Sequence, residues 1–284
     1  MKMKLTCVTA TFNCIKAGNR ERLIRCVESV AKLKTEHEHL IYDGASTDGT
    51  VELLRELEAK TPGLKVVSEP DTGIYNALNK GVRDAKGEWF YVLGADDYVS
   101  HPEVMDALLA EYNGDEIVTP VEISGGFRNI ETRCIFIGTP YCHQGVIQKT
   151  AAIRRFGAFD EQYTIASDYD LIFKFHDAGL DIRYDDRVFS YFGNDGISST
   201  LTKKMSAEFD KIVAANFRIS EAHAAKMRRR GYISIRLAQP YFPHKDMALR
   251  NAAWNTIYEN IKGYLKIVLY PIVIARRRIR NRKN

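Results

Sequence analysis

Trp89-Phe90-Tyr91-Val92-Leu93-Gly94-Ala95-Asp96-Asp97 is the stretch that decides the fold. Five apolar residues in succession, without polar alternation, read as a strand buried on both faces. The run breaks through a Gly-Ala pair into two adjacent carboxylates, placing paired negative charge at the carboxyl end of that strand. In open α/β sheets that edge is where ligands bind. Adjacent carboxylates there are costly unless a cation or a polar ligand compensates them.

Upstream of this stretch, strand and helix patterns alternate. Leu5 to Thr9 reads as a first strand, and Leu23, Val27, Val30 and Leu33 then recur at helical spacing. His39 to Asp43 reads as a second strand, followed by a helix starting near Thr50 that carries Leu53, Leu54 and Leu57. Thr61-Pro62-Gly63 is a turn before a third strand over Leu64 to Ser68, and Ile74, Ala77, Leu78 and Val82 mark the next helix. Such alternation predicts parallel strands joined by right-handed helical crossovers. The strand exits carry Thr11 and Asn13, Asp43-Gly44, Glu69-Pro70-Asp71 and Asp96-Asp97, in outline a nucleotide-binding edge. Asp and Gly are common in any loop, but four such exits in register are harder to dismiss.

Beyond residue 100 the pattern is mixed. Glu116 to Val121 and Phe127 to Ile137 read as strands joined by Ser124-Gly125-Gly126. A helix beginning near Asp168 carries Leu171, Ile172 and Phe175, and short strands follow near Ile182–Tyr184 and Val188–Tyr191. Residues 1–204 read as one domain, with a nucleotide-binding half over 1–100 and a mixed half over 101–204 that faces a second substrate. Residues 205–284 read as a helical extension.

The 284 residues are 45% hydrophobic and 27% charged, a soluble globular composition. Five scattered cysteines without a C-x-x-C pair argue against a disulfide framework or zinc site and point to a reducing cytoplasm. The amino-terminal residues, with a short apolar run broken by threonine, read as a strand rather than a signal peptide. The net charge of +5 belongs to the tail, where Arg276, Arg277, Arg278, Arg280, Arg282 and Lys283 follow one another without an acid and leave the remainder near neutral.

The ordered motifs over roughly residues 4–200 resemble the inverting family-2 glycosyltransferases of bacterial surface-polysaccharide synthesis, which have the GT-A fold. Val8-Thr9-Ala10-Thr11-Phe12-Asn13 is similar to that family's first-strand exit, with Ala10 where a proline is usual. Asp43-Gly44-Ala45-Ser46-Thr47-Asp48-Gly49-Thr50 matches its D-G-x-S-x-D-G-T loop. Asn79-Lys80-Gly81, Gly87-Glu88 and Asp96-Asp97 follow in order. Gly157 to Glu161 then leads into Ser167-Asp168-Tyr169-Asp170-Leu171, similar to the segment holding the family's base.

The resemblance implies a fold, an α/β GT-A domain with a Rossmann-like, mostly parallel sheet, and a set of roles. Thr11, Asp43, Asn79 and Asp96 would bind the nucleotide sugar, Asp43 through a base N–H and Asp96 through the ribose. Asp97 would ligate Mg2+ or Mn2+, hard cations suited to oxygen ligands and to the departing diphosphate. Gly94 stands where the fuller family pattern has another Asp, leaving further protein ligands unassigned. Asp168 would be the base that deprotonates the acceptor hydroxyl, although an Asp in a helix's first turn also serves the helix dipole. His143 and Gln144 would orient donor or acceptor hydroxyls, or be satisfied structural residues. Ser46 and Asp48 read as caps for the helix from Thr50. Gly193 to Ser199 is similar to a loop closing over the diphosphate, and equally to an ordinary turn.

In the tail, Trp254, Ile257, Tyr258, Ile261, Leu265 and Val268 share one helical face, and the apolar run from Leu269 to Ala275 is too short and interrupted to span a bilayer. The segment suits peripheral contact with an anionic membrane, with packing on the catalytic domain as the alternative. No basic, aromatic-interleaved platform for nucleic acid occurs in the body. The expectation is transfer of a sugar, UDP-linked by preference, to a glycan acceptor, lipid-linked at the cytoplasmic membrane face, for capsule, O-antigen or exopolysaccharide. The rivals are an inactive sugar-nucleotide-binding scaffold and a sugar-phosphate nucleotidyltransferase. The latter would need a Gly-rich, Arg-containing loop where Thr11-Phe12-Asn13-Cys14 stands.

Overall fold

The computed structural model describes residues 3–130, 139–193, 202–217, 219–226 and 228–229. Its elements run β1 (Leu5–Thr11), α1 (Arg20–Val30), β2 (His37–Asp43), α2 (Thr50–Lys60), β3 (Leu64–Ser68), α3 (Ile74–Asp84) and β4 (Trp89–Val92). There follow β5 (Tyr98–Val99), α4 (Pro102–Glu111), β6 (Glu116–Val118), β7 (Val121–Ile123) and β8 (Gly126–Arg128). A 3-10 turn (His143–Gly145), β9 (Val146–Lys149), α5 (Thr150–Arg155), α6 (Ser167–Ala178), β10 (Ile182–Tyr184), β11 (Ser190–Tyr191) and α7 (Thr202–Phe217) complete it.

The seven-stranded sheet has the order β10-β6-β9-β4-β1-β2-β3. β1 pairs in parallel with both β2 and β4, β2 with β3, and β6 with β10, while β9 runs antiparallel to β4 and β6. The mostly parallel α/β architecture is therefore as anticipated, with β9 the one reversed strand. Centrality explains the composition of β1: six of its seven residues are buried, so it reads as an apolar and threonine run instead of alternating. The registers bring Thr11 level with Asp43, and Asp43 level with Ser68. Three strand exits thus meet at one edge. A smaller sheet has the order β5-β11-β7-β8.

Helices pack on the sheet by apolar faces. Leu23 and Val27 of α1, Leu53 and Leu54 of α2, Ile41, Leu64 and Val66 form one buried cluster. A second cluster joins Cys26 and Val30 to Trp89, Tyr91, Leu108, Ile117, Ile147 and Phe189. α3 approaches β1 so closely at Gly81 that a Cβ there would lie 2.6 Å from Val8 Cγ1, which is why the Asn79-Lys80-Gly81 motif ends in glycine. Arg154 of α5 closes the carboxyl end of α3, its guanidinium donating to the carbonyls of Val82, Arg83 and Ala85.

The structure corrects some boundaries. β2 begins two residues before the anticipated strand, and β4 ends at Val92. The strand expected over Phe127–Ile137 is limited, in the described part, to Gly126–Arg128; residues 131–138 lie outside the described residues. α4, β9 and α5 were not anticipated. The described residues fall into two compact units, one of residues 3–130, 141–171 and 181–193, the other of 139–140, 172–180 and the described residues from 202 onward. In the second, α7 begins at Thr202, and Arg228 makes a two-pronged pair with Asp210 at 2.8 and 2.9 Å. Among the described residues no helix is long and apolar enough to cross a membrane. The tail from 230 onward lies outside the described residues.

Glu116, fully buried on β6, accepts hydrogen bonds from Tyr141 Oη at 2.7 Å and Gln148 Nε2 at 2.6 Å. Burial pushes its carboxyl up to about 7. An acid whose folded-state pKa is raised binds more protons folded than unfolded, so its effect on stability is most favourable below its ordinary range of about 4.3 and worsens up to about 7. Glu116→Gln removes that dependence. Its stability relative to the parent, measured by urea denaturation, should improve by about 2–3 kcal/mol between pH 4.5 and 8; a pH-independent difference contradicts this.

Candidate active site

Asp43 closes β2, is 1% exposed, and its carboxylate is held by four protein donors. Thr11 Oγ1 (3.1 Å) and Ser46 Oγ (2.5 Å) donate to Oδ1, while the Ser46 N–H (2.8 Å) and Ser68 Oγ (2.9 Å) donate to Oδ2. This fills about four lone-pair sites and fixes the loop leaving β2. Ser46 is therefore part of the Asp43 network, not a cap on α2, and its Oγ also accepts the Asn13 N–H at 2.7 Å. Asp48 does secure the first turn of α2, accepting the Thr50 N–H at 3.1 Å and Thr50 Oγ1 at 2.6 Å. Beside this network Phe12 is 65% exposed, with its ring against Gly44. Phe12 was missed by the sequence reading; a bare aromatic following a buried strand was the available signal.

Asp97 is 1% exposed at the exit of β4. Its Oδ1 accepts the Gly193 N–H at 2.7 Å, and the Gln144 side chain also bonds it. Burial, then the neighbouring Asp96 carboxylate, push Asp97 up to about 7 against the pull of those donors. No ion pair reaches Asp97 among the described residues. Gly94 now has a physical reason: a Cβ there would lie 2.3 Å from Asp97 Oδ2. The space of the missing side chain is taken by the Asp97 carboxylate itself.

The buried Asp97 carboxylate, with Asp96 beside it, fits a hard divalent cation, which takes one or two carboxylates and fills its remaining positions with phosphate oxygens and water. Among the described residues no group of three or more His, Cys, Asp or Glu side chains is placed to hold a metal alone.

Asp168 lies in the first turn of α6, and its Oδ1 accepts the Tyr169 N–H at 2.9 Å and Tyr75 Oη at 3.2 Å. His143 faces it electrostatically; burial lowers the His143 pKa while the Asp168 charge opposes that shift. Next along the same turn, Gln144 bonds Asp97 and accepts the Cys142 thiol at 2.8 Å. The 3-10 turn is itself pinned, its Gln144 carbonyl accepting Tyr91 Oη at 3.0 Å and Ser190 Oγ at 2.6 Å. One three-residue turn thus spans Asp97 and Asp168. At the exits of β1, β2 and β4, Asp43, Asp48 and Asp96 all act electrostatically on Cys14, whose thiol is pushed up to about 11, chiefly by burial.

Asn79 is placed differently from the other expected donor residues. Its Nδ2 donates to the Phe159 carbonyl at 2.8 Å and Glu161 Oε1 at 2.9 Å, and its Oδ1 accepts the Phe159 N–H at 3.0 Å. Both ends of the amide are spent on the segment leading to Asp168. Gly193 is described against Asp96 and Asp97, whereas 194–200 of the expected closing loop lie outside the described residues.

With this site on a mostly parallel sheet, the chain has the architecture of a glycosyltransferase of the GT-A fold. It belongs to glycosyl transferase family 2, whose model matches residues 6–167. A PGL/p-HBAD biosynthesis glycosyltransferase of Mycobacterium tuberculosis is 28% identical over 193 residues, 63% of this chain and 75% of that one. Chondroitin synthase of Escherichia coli is 28% identical over 184 residues, 59% of this chain and 26% of that one. Among solved structures, residues 1–349 of S. aureus TarS match with a TM-score of 0.61 at 18% identity, covering 98% of this chain and 89% of that one. The mannosyltransferase PcManGT of Pyrobaculum calidifontis, in complex with GDP-Man and Mn2+, matches with a TM-score of 0.62 at 17% identity, covering 98% and 88%. These two likenesses establish the shared fold.

The Gly94–Asp97 contact is directly testable. Gly94→Ala forces the buried carboxylate to move, and overpacking of this kind costs about 1–3 kcal/mol. Urea denaturation at neutral pH should show that loss; an unchanged midpoint would mean that the Asp97 carboxylate swings aside freely.

Proposed function

We propose that this glycosyltransferase moves one sugar from a nucleotide-sugar donor, a UDP-sugar by preference, onto a hydroxyl of a glycan acceptor with inversion at the anomeric carbon. The observation that carries the reading is the turn His143–Gly145, which bonds Asp97 through Gln144 and sets His143 beside Asp168. A metal ligand and a base belong on opposite sides of one reacting carbon, and this turn ties the two carboxylates together. Structures of TarS with UDP and with UDP-GlcNAc, and of the mannosyltransferase with GDP-Man, support a nucleotide-sugar donor.

In this reading Asp43 and its loop, with Thr11, hold the base edge, and exposed Phe12 offers the base a stacking face. Asp43 is already saturated, so a base N–H must displace one of its hydroxyl donors; the Thr11 bond is the longest of the four. Asp96 receives the ribose, and Asn79 holds the 159–161 segment rather than the donor. Asp97 would hold Mg2+ or Mn2+, which would supply Lewis-acid stabilisation of the leaving diphosphate. Asp168 takes the proton of the acceptor hydroxyl. As it does so, the acceptor oxygen bonds to the anomeric carbon, and the bond from that carbon to the diphosphate breaks with its electron pair on the leaving group.

Residues 1–100 form the donor half and 101–204 the acceptor half of this catalytic domain. The tail, with Trp254, Ile257, Tyr258 and the Arg276–Lys283 cluster, binds the anionic inner face of the cytoplasmic membrane, where a lipid-linked acceptor of capsule, O-antigen or exopolysaccharide synthesis is presented. The biosynthetic relatives named above support a glycan product.

A panel of UDP- and GDP-sugars, assayed for donor turnover with and without Mn2+, should yield one or more metal-dependent donors; a silent panel contradicts the reading. Asp168→Asn should lower transfer by at least about 100-fold, the contribution of a general base, while donor affinity changes little. Loss of donor binding instead would remove Asp168 from the role of base. Deleting residues 270–284 should release the protein from phosphatidylglycerol-containing vesicles while leaving turnover on a soluble acceptor intact; retained vesicle binding contradicts the membrane role.

A further inference from the structure

We propose that Tyr75 is a positioning residue for the Asp168 carboxylate, holding Oδ1 so that Oδ2 receives the acceptor's proton. The inference rests on the reading of Asp168 as base and adds the group that orients it.

The geometry begins with α3. Three of its side chains, Tyr75, Asn76 and Asn79, reach the segment that precedes and opens α6. Asn79 brackets the backbone of Phe159 from both sides, and Asn76 Nδ2 donates to Glu161 Oε2 at 3.1 Å. The Tyr75 ring stacks on Phe159 with centroids 5.7 Å apart and planes 20° from parallel. His143 meets the Phe159 ring edge-on at 5.9 Å. Phe159 therefore registers Tyr75 on one hand and His143 on the other, and both of those face Asp168.

At the end of this arrangement the Tyr75 hydroxyl donates to Asp168 Oδ1 at 3.2 Å. The same oxygen accepts the Tyr169 N–H at 2.9 Å, while Oδ2 accepts no hydrogen bond among the described residues. The phenol oxygen also lies within reach of the Ser167 and Asp168 N–H groups at the start of α6. Burial, and then the Asp168 charge, hold the phenol well above its ordinary pKa, so it stays a donor. A carboxylate with one oxygen doubly engaged and the other open is oriented for proton abstraction, and misplacement of such a group by about 1 Å can cost 10²-fold. The motif Asp71-Thr72-Gly73-Ile74-Tyr75-Asn76-Ala77-Leu78-Asn79 thereby joins the β3 exit to the base.

The test is Tyr75→Phe, which deletes the hydroxyl and keeps the stacked ring. We expect kcat to fall about 10- to 100-fold with the donor KM unchanged and thermal unfolding close to the parent's. In an Asp168→Asn background the same substitution should cost nothing further, because coupled groups are not additive. Independently of activity, the 13Cζ resonance of Tyr75, assigned by its loss in Tyr75→Phe, should move in Asp168→Asn. An unchanged kcat, an equal loss in both backgrounds, or an unmoved resonance overturns the proposal. Transfer by Asp168→Asn at the parent's rate overturns it together with the assignment of the base. An inactive Asp168→Asn with a fully active Tyr75→Phe overturns the role of Tyr75 alone.

Discussion

Burial of the Asp97 carboxylate against Asp96 is the constraint around which the site is built. An unpaired buried charge costs several kcal/mol, and the chain answers with dipoles rather than a basic side chain: the Gly193 N–H and the Gln144 amide. Those two donors recruit two separate segments to the exit of β4. The first is the 3-10 turn, itself locked by Tyr91 and Ser190. The second is the strand β11 exit at Gly193. Gly94 follows from the same constraint, since any Cβ at that position would collide with the carboxylate it serves.

Backbone strain is stored in the same neighbourhood. Asn13, Ala45 and Ala158 are the non-glycine residues with positive φ among the described residues, at 48°, 60° and 59°. Each such residue costs on the order of 1–3 kcal/mol and persists where its surroundings over-determine it. Asn13 and Ala45 flank the Asp43 network, in which the Asn13 N–H donates to Ser46 Oγ and Asn13 Oδ1 accepts the Thr47 N–H. Ala158 precedes Phe159, the residue clamped by Asn79. Strain and its compensating hydrogen bonds thus lie on the loop leaving β2 and on the approach to Asp168.

The parallel half of the fold was legible because β1, β2 and β4 are runs of buried residues, and because Thr11, Asp43 and Asp96-Asp97 mark their exits. β9 was not: four residues, Val146 to Lys149, offer no period, and Gln148 is buried only because Glu116 across the strand accepts its amide proton. The pairing of His143 with Gln144 was visible as a motif, but not that the two residues face different carboxylates. Asn79 was legible in its place but not in its partners. Its place on α3 was anticipated, whereas its partners lie some eighty residues away at Phe159 and Glu161, and no local pattern encodes them. Ser46 was misjudged for a related reason, since a cap and a carboxylate partner look alike until the tertiary neighbours are known.

The central claim, that Asp97 and a divalent cation together hold a nucleoside diphosphate at the exit of β4, is tested most directly by calorimetry. UDP and GDP are titrated into the parent and into Asp97→Ala, each with Mn2+ and with a chelator. The account predicts nucleotide binding to the parent that is strengthened by Mn2+ and a variant in which the Mn2+ dependence is gone. Equal binding with and without Mn2+ in the parent, or an undiminished Mn2+ effect in Asp97→Ala, would contradict it.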